Sequence, residues 1–271
     1  MRLNYPLLAS LLILPLFSLA QKPKTNTDSL ARLDSVRTYM LQGSLLAMNA
    51  MQAKIDAERT GDNGKLNLQK AGESQNLFVQ SRYYYRKAIA FDSMYYSGWS
   101  NLGTTYYFEG LVKTSIPFFH KSVLINDHYA QGWYNLGKAY DKTGKRDSAV
   151  YSLHRCIASD SNYLAGYVEL SRIFFVGKDT TAAFGLLRTA CAKQPNAELP
   201  WTTMAVDYFA LNDSARGIAA LEKAAAIFPD NIDRLDLLAG YFSRHNDPAK
   251  AANYAKLAAT QRKQQEIPEE K

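Results

Sequence analysis

The chain has 271 residues, 32 Lys and Arg against 25 Asp and Glu for a formal charge of +7, 47% apolar side chains and two cysteines. That balance excludes a disordered tail, a collagen, a disulfide-stapled miniprotein and a zinc-finger array. Beyond residue 20 there is no run of about 20 apolar residues that could form a membrane helix, so the remainder is expected to be soluble.

Residues 1–20 stand apart. Arg2 precedes the apolar run from Leu7 to Leu19, and small side chains at Ser18 and Ala20 close it. This reads as a secretory signal cleaved after Ala20, the alternative being a retained N-terminal anchor. No cysteine near that point could carry a lipid. Losing Arg2 leaves the exported part at a formal +6. The expected location is periplasmic or extracellular, where nucleic acid is not a partner. The basic excess suits acidic partners or an anionic envelope surface, and it equally suits plain solubility.

Residues 28–58 are rich in Leu, Met and Ala and read as one helix. The break Gly61-Asp62-Asn63-Gly64 separates it from a second helix over roughly 67–91. Tyr83-Tyr84-Tyr85 and Tyr95-Tyr96 concentrate aromatic rings around the end of this region, as core filling or as a self-association surface.

From Tyr96 onward the chain repeats itself every 34 residues. One column holds Trp99, Trp133, Tyr167, Trp201 and Leu235; three residues on come Leu102, Leu136, Leu170, Met204 and Leu238. Small residues follow at Gly103, Gly137, Ser171, Ala205 and Ala239, then rings at Tyr106, Tyr140, Phe174, Tyr208 and Phe242. A second set runs through Ser115, Phe119 and Ser122 and their counterparts in the later units. Offsets of 0, 3, 4 and 7 in the first set, and of 0, 4 and 7 in the second, are the stripes of amphipathic helices. Each unit is therefore two helices. Gly110, Gly144, Gly177, Asn212 and Asn246 are expected to end the first helix in the left-handed conformation. Asp147, Asp179 and Asp213 are expected to cap the second, and Pro195 and Pro229 close two of the units. Small columns let helix axes approach, and a lone hairpin buries too little apolar surface to stand without a neighbour.

These columns, W-x2-L-G-x2-Y followed by Ala, Phe/Leu, Ala and Pro, resemble the tetratricopeptide repeat over about 170 residues. The sequence departs from that pattern at Gly217, at Leu235, and at Asp127 and Ser161 where proline is often found. The resemblance implies an all-α, right-handed α-solenoid of helix-turn-helix repeats, five of them regular over 96–263. Counting back from Tyr96 puts Ser81, Tyr85 and Ala88 in register, whereas Lys65, Gln69 and Gly72 do not fit a first helix. The 28–58 helix is read as the missing one, so 21–95 forms a divergent capping repeat, with an unrelated N-terminal hairpin as the alternative. Residues 264–271 form a frayed tail.

No phosphate-binding loop, G-x-S-x-G elbow or H-E-x-x-H helix is present. His120 and His154 share a column, without evident further ligands for a metal. Cys156 and Cys191 are 35 apart. The extra residue turns one side chain by about 100° relative to the other, which predicts two buried thiols rather than a disulfide. No catalytic residue, metal or cofactor is expected.

The resemblance further implies that positions 2, 5, 9, 12 and 13 of each first helix line a concave groove where peptides lie. The first repeat then offers Ser97, Ser100, Thr104, Tyr107 and Phe108. The centre of the groove combines Tyr107, Tyr134, Phe175 and Phe209 with the cations Lys138 and Arg172. Such a surface suits a protein or peptide segment with apolar anchors and a carboxylate; otherwise half of these rings simply pack inside the repeats. Repeats that clamp a C-terminal carboxylate usually carry Lys and Asn at positions 5 and 9 of the first repeat. Here those positions are Ser100 and Thr104, so that clamp is absent in its usual form, although Asn101 and Asn135 fit in part. The expected function is an exported, non-catalytic scaffold that holds a protein partner in its groove. The alternatives are a structural subunit of an envelope assembly using its convex face or ends, and, requiring polar groups that converge in a closed pocket, a small-ligand or catalytic protein.

Overall fold

The computed structural model describes residues 27–59 and 66–265. Residues 1–20, expected to be a signal, the break at 61–64 and the end of the C-terminal tail lie outside the described residues. Among the described residues the chain is all-α, with α1 (Thr27–Arg59), α2 (Leu68–Phe91), α3 (Tyr96–Glu109), α4 (Val112–Ile125), α5 (Ala130–Lys142), α6 (Arg146–Ser159), α7 (Leu164–Val176), α8 (Thr180–Lys193), α9 (Glu198–Ala210), α10 (Ser214–Ile227), α11 (Ile232–Arg244) and α12 (Pro248–Gln265). It divides into two compact units, Met1–Lys145 with α1–α5 and Arg146–Lys271 with α6–α12. The division falls in the turn between α5 and α6.

In the first unit α1 and α2 form a long hairpin. Hydroxyls of α2 donate to carbonyls of α1, Ser74 Oγ to Ala50 O and Ser81 Oγ to Gly43 O, each at 2.7 Å. Gly43 is small for a reason: a β-carbon there would meet the buried Tyr85 ring at 2.7 Å. The same contact recurs in the next pair, where Gly103 faces the buried Phe119 ring and a β-carbon would meet it at 2.8 Å. Between hairpins the glycines sit one turn earlier. A β-carbon on Gly98 would meet Ile89 at 3.2 Å, and one on Gly132 would meet Val123 at 3.0 Å. Alternating small and bulky positions is thus what lets each helix approach both its partner and the preceding hairpin.

The second unit repeats this logic. Phe184, Leu187, Met204 and Ala205 form one core, with Tyr208 stacked on Phe184 at 4.2 Å between ring centroids. Ile218, Ala225, Leu235, Leu238 and Phe242 form the next. Both cysteines are buried thiols. Cys156 lies against Gly166, and Cys191 belongs to the Phe184 core, where burial pushes its thiol up to about 11.

Left-handed residues occur at Gly110, Gly144, Lys178, Asn212 and Asn246, with φ of 94°, 77°, 66°, 59° and 54°. These are spaced by 34 throughout, so the expectation for Gly177 is corrected: its φ is −76°, and Lys178 carries the strained conformation. The N-caps are Asp179, Asp213 and Asp247, which accept from the backbone N–H of Ala182, Arg216 and Lys250. Asp147, expected to cap α6, instead lies inside its first turn, where its charge faces the positive end of the helix dipole.

Turns between hairpins are made by two chemistries. At Asp92, Asn126 and Asp160 the side-chain oxygen accepts from the N–H two residues on, at 2.9, 3.0 and 2.9 Å. That local bond makes a proline at Asp127 or Ser161 unnecessary. Gln194 and Phe228 supply no such bond, and Pro195 and Pro229 follow them. The ring column is explained by its polar handles. Trp99 Nε1 donates to Ser93 O at 2.9 Å, Trp133 Nε1 to Asp127 O at 2.7 Å and Tyr167 Oη to Ser161 O at 3.2 Å, tying each helix to the turn before it.

Candidate functional site

In the first unit, Thr104, Tyr107 and Phe108 from α3, Asn135 and Lys138 from α5 and Phe119 from α4 line a shallow, open dent. Its volume is about 20 Å³, against roughly 300–1,000 Å³ for common small-ligand sites, so it has no room for a cofactor and takes at most the tip of a side chain. Lys138 Nζ lies 5.5 Å from the Tyr107 ring centroid and 5.2 Å from that of Tyr134. Two ring faces therefore hold the ammonium at the edge of the dent. Tyr107 and Phe108 meet edge to face at 5.6 Å.

The polar floor is structural. Asn135 Nδ2 donates to Ser100 Oγ at 3.2 Å, and Thr104 Oγ1 to Ser100 O at 2.9 Å. Ser100 is fully buried, and Asn101 is 6% exposed. Lys54 of α1 donates to Phe108 O at 2.6 Å, satisfying a carbonyl at the end of α3.

The structure brings Tyr107, Tyr134 and Lys138 together, with Tyr134 as a buried wall, only 6% exposed. In the second unit Phe175 meets Phe184 edge to face at 6.4 Å, and Phe209 closes against Gly217. Both rings are half-buried in the packing of that unit. Arg172 is exposed and donates to Glu169 Oε1 at 2.7 Å. His120 and His154 are exposed on their helices.

Three features escaped the sequence reading. Arg82, 8% exposed, pairs with Glu109 at 2.5 Å and stacks on Tyr106 in the first unit. Arg234, 7% exposed, pairs with Glu198 in the second. Asp207 is buried with Oδ2 lacking a hydrogen-bond partner, and desolvation pushes its carboxyl up to about 6. Its column otherwise holds Thr105, Ala139, Ile173 and Tyr241. An acid in an otherwise uncharged column was the available signal.

Among the described residues no group of three or more His, Cys, Asp or Glu could hold a metal ion, and no helix is long and apolar enough to cross a membrane.

Comparison with known proteins agrees with this geometry. Residues 130–163 match the family model described as Tetratricopeptide repeat. No curated protein sequence matches the chain. Among solved structures it is similar to pilF of Pseudomonas aeruginosa, at 15% identity and a TM-score of 0.58 over 83% of this chain and 90% of that one. It is also similar to TTC0263, a thermophilic TPR protein of Thermus thermophilus, at 15% identity and a TM-score of 0.50, covering 70% of this chain and 95% of that one. A MamA protein gives 18% identity and a TM-score of 0.50 over 74% and 95% of the two chains. These likenesses concern the fold. The 34-residue register carried through its helix pairs is that of the tetratricopeptide repeat matched at residues 130–163.

Proposed function

We propose that this protein is an exported, non-catalytic scaffold that holds an extended or helical segment of a protein partner on the face formed by α3 and α5. The observation that carries the proposal is the Lys138 ammonium held over Tyr107 and Tyr134 beside the dent under Phe108. The tip of an apolar side chain of the partner fills the dent, and a neighbouring carboxylate meets Lys138, a charge-assisted contact that orients the segment.

Export rests on the signal-like segment 1–20, and Edman sequencing of the native protein is expected to begin at Gln21. Binding is tested by fluorescence anisotropy with a panel of peptides carrying an aromatic or aliphatic anchor next to Asp or Glu. Lys138→Glu is expected to weaken the best peptide at least roughly tenfold with unchanged far-ultraviolet circular dichroism. Binding of that variant at wild-type strength removes this face from consideration.

A further inference from the structure

The α1 helix has one face that the rest of the unit leaves bare. Leu41, Leu45 and Met48 are 61%, 57% and 48% exposed, whereas Ala47 and Ala50 on the other side of the helix are 7% and 0% exposed. Gly43 faces Tyr85 as Gly103 faces Phe119, which sets α1 in register with α3 at an offset of 60 residues. In that register Leu41 and Leu45 occupy the places of Asn101 and Thr105, which are 6% and 1% exposed because the preceding hairpin covers them. The bare face of α1 is thus the surface that later helices of the array use for stacking. It is not fitted to another hairpin of the same array, however, because Gln42 stands where the buried Leu102 would be.

The sequence of this face points to its occupant. Exposed positions 34, 38, 41, 45, 48 and 52 are spaced alternately by four and three, the seam of a coiled coil. No charged residue occurs between 38 and 53, and charges return on both sides of that stretch, with Arg32, Asp34 and Arg37 before it and Lys54, Asp56, Glu58 and Arg59 after it. In a parallel, in-register pair Asp34 would meet Asp34 and Arg59 would meet Arg59. An antiparallel pair instead sets each seam residue against the one whose number brings the sum to 93. Leu45 then packs on Met48, Leu41 on Gln52, and Asp34 meets Arg59, while Arg37 lies opposite Asp56. The apolar centre and two pairs of opposite charge, Asp34 with Arg59 and Arg37 with Asp56, thus find complements on an identical helix, as an isologous two-fold contact requires. The pairs already present, Arg37 with Asp34 at 3.7 Å and Lys70 with Asp56 at 3.6 Å, are extended by this arrangement rather than broken.

We infer that the chain forms a two-fold dimer through α1, antiparallel, with Leu45 and Met48 of the two copies at the axis. The inference is independent of peptide binding on α3 and α5. It is tested by sedimentation equilibrium of the purified chain over a wide concentration range. Wild type is expected to dimerise, and Leu45→Glu with Met48→Glu to raise the dimer dissociation constant at least roughly tenfold. Asp34→Arg alone and Arg59→Asp alone are expected to weaken the dimer, and the two together to restore it. The charge variants are exposed, so they test the contact even if the seam variant fails to fold. A wild type that stays monomeric throughout, a dimer indifferent to the seam variant, or a charge swap that restores nothing would overturn the inference.

Discussion

The guanidinium of Arg146 lies against the α-carbon of Gly177, where there is no room for a β-carbon, and its Nη2 donates to Ile173 O at 2.6 Å. A side chain at the start of α6 thereby satisfies a carbonyl in the last turn of α7 and sets a positive charge at the negative end of its dipole. Gly177 is needed for close approach, not for its φ. In the wild-type background Gly177→Ala is expected to cost about 1 kcal/mol, since it displaces a charged hydrogen bond. In an Arg146→Ala background the same change is expected to stabilise by about 0.5 kcal/mol, through the unfolded chain. Urea denaturation of the four proteins checks this reversal of sign. Equal effects in both backgrounds would contradict the contact.

Lys178 holds a left-handed φ of 66° without a glycine. Lys178→Gly is expected to stabilise the protein by about 0.5–1 kcal/mol, because a β-carbon is disfavoured in that region. Gly144→Ala, at φ 77°, is expected to destabilise by about 1–2 kcal/mol for the same reason. Denaturant midpoints for both variants give the comparison.

Helical glycines should divide by their surroundings. A β-carbon at Gly103 would meet the Phe119 ring at 2.8 Å, and that ring is 1% exposed, so Gly103→Ala is expected to cost about 1–3 kcal/mol. At Gly240, within α11, no atom lies within 4 Å of a β-carbon, and Gly240→Ala is expected to gain about 0.5–1 kcal/mol in helix propensity. Thermal denaturation should show melting temperatures moving in opposite directions.

Asp207 makes stability depend on pH in an unusual sense. Burial raises its carboxyl from 3.8 to about 6, so the folded protein holds a proton that the unfolded chain releases. Stability from this group is therefore full below about pH 4 and is lost as pH rises through about 6. Asp207→Asn mimics the protonated form. It is expected to stabilise by about 1–3 kcal/mol at pH 8 and by nearly nothing at pH 4. Urea melts of both proteins at these two pH values measure the difference, and a gain independent of pH would show that the charge is not the cause.

The hairpins were legible in the sequence because large and small columns recur without insertion, and the contacts of Gly103 with Phe119 and of Gly217 with Phe209 show what that recurrence is for. The turns were half legible. Proline was the familiar signal, but Asn126 and Asp160 do the same work by accepting a local hydrogen bond. Gly177 attracted the left-handed role because residue type was weighed above register, whereas the step of 34 selects Lys178. At the candidate site, Tyr107 and Lys138 were visible as positions on a helix face. That Tyr134 is a wall, and that Phe175 and Phe209 lean into the packing of their own unit, depends on how far each ring turns inward, which spacing alone does not determine. The pairs Arg82–Glu109 and Arg234–Glu198 join residues from different helices and have no short-range signature.

The partner segment is proposed to lie across α3 and α5. Photocrosslinking from a benzoylphenylalanine placed at Thr104, beside the dent, against one placed at the exposed His120 of α4 tests it most directly. With the best-binding peptide, a crosslink is expected from position 104 and none from position 120. A crosslink from position 120 alone would contradict it.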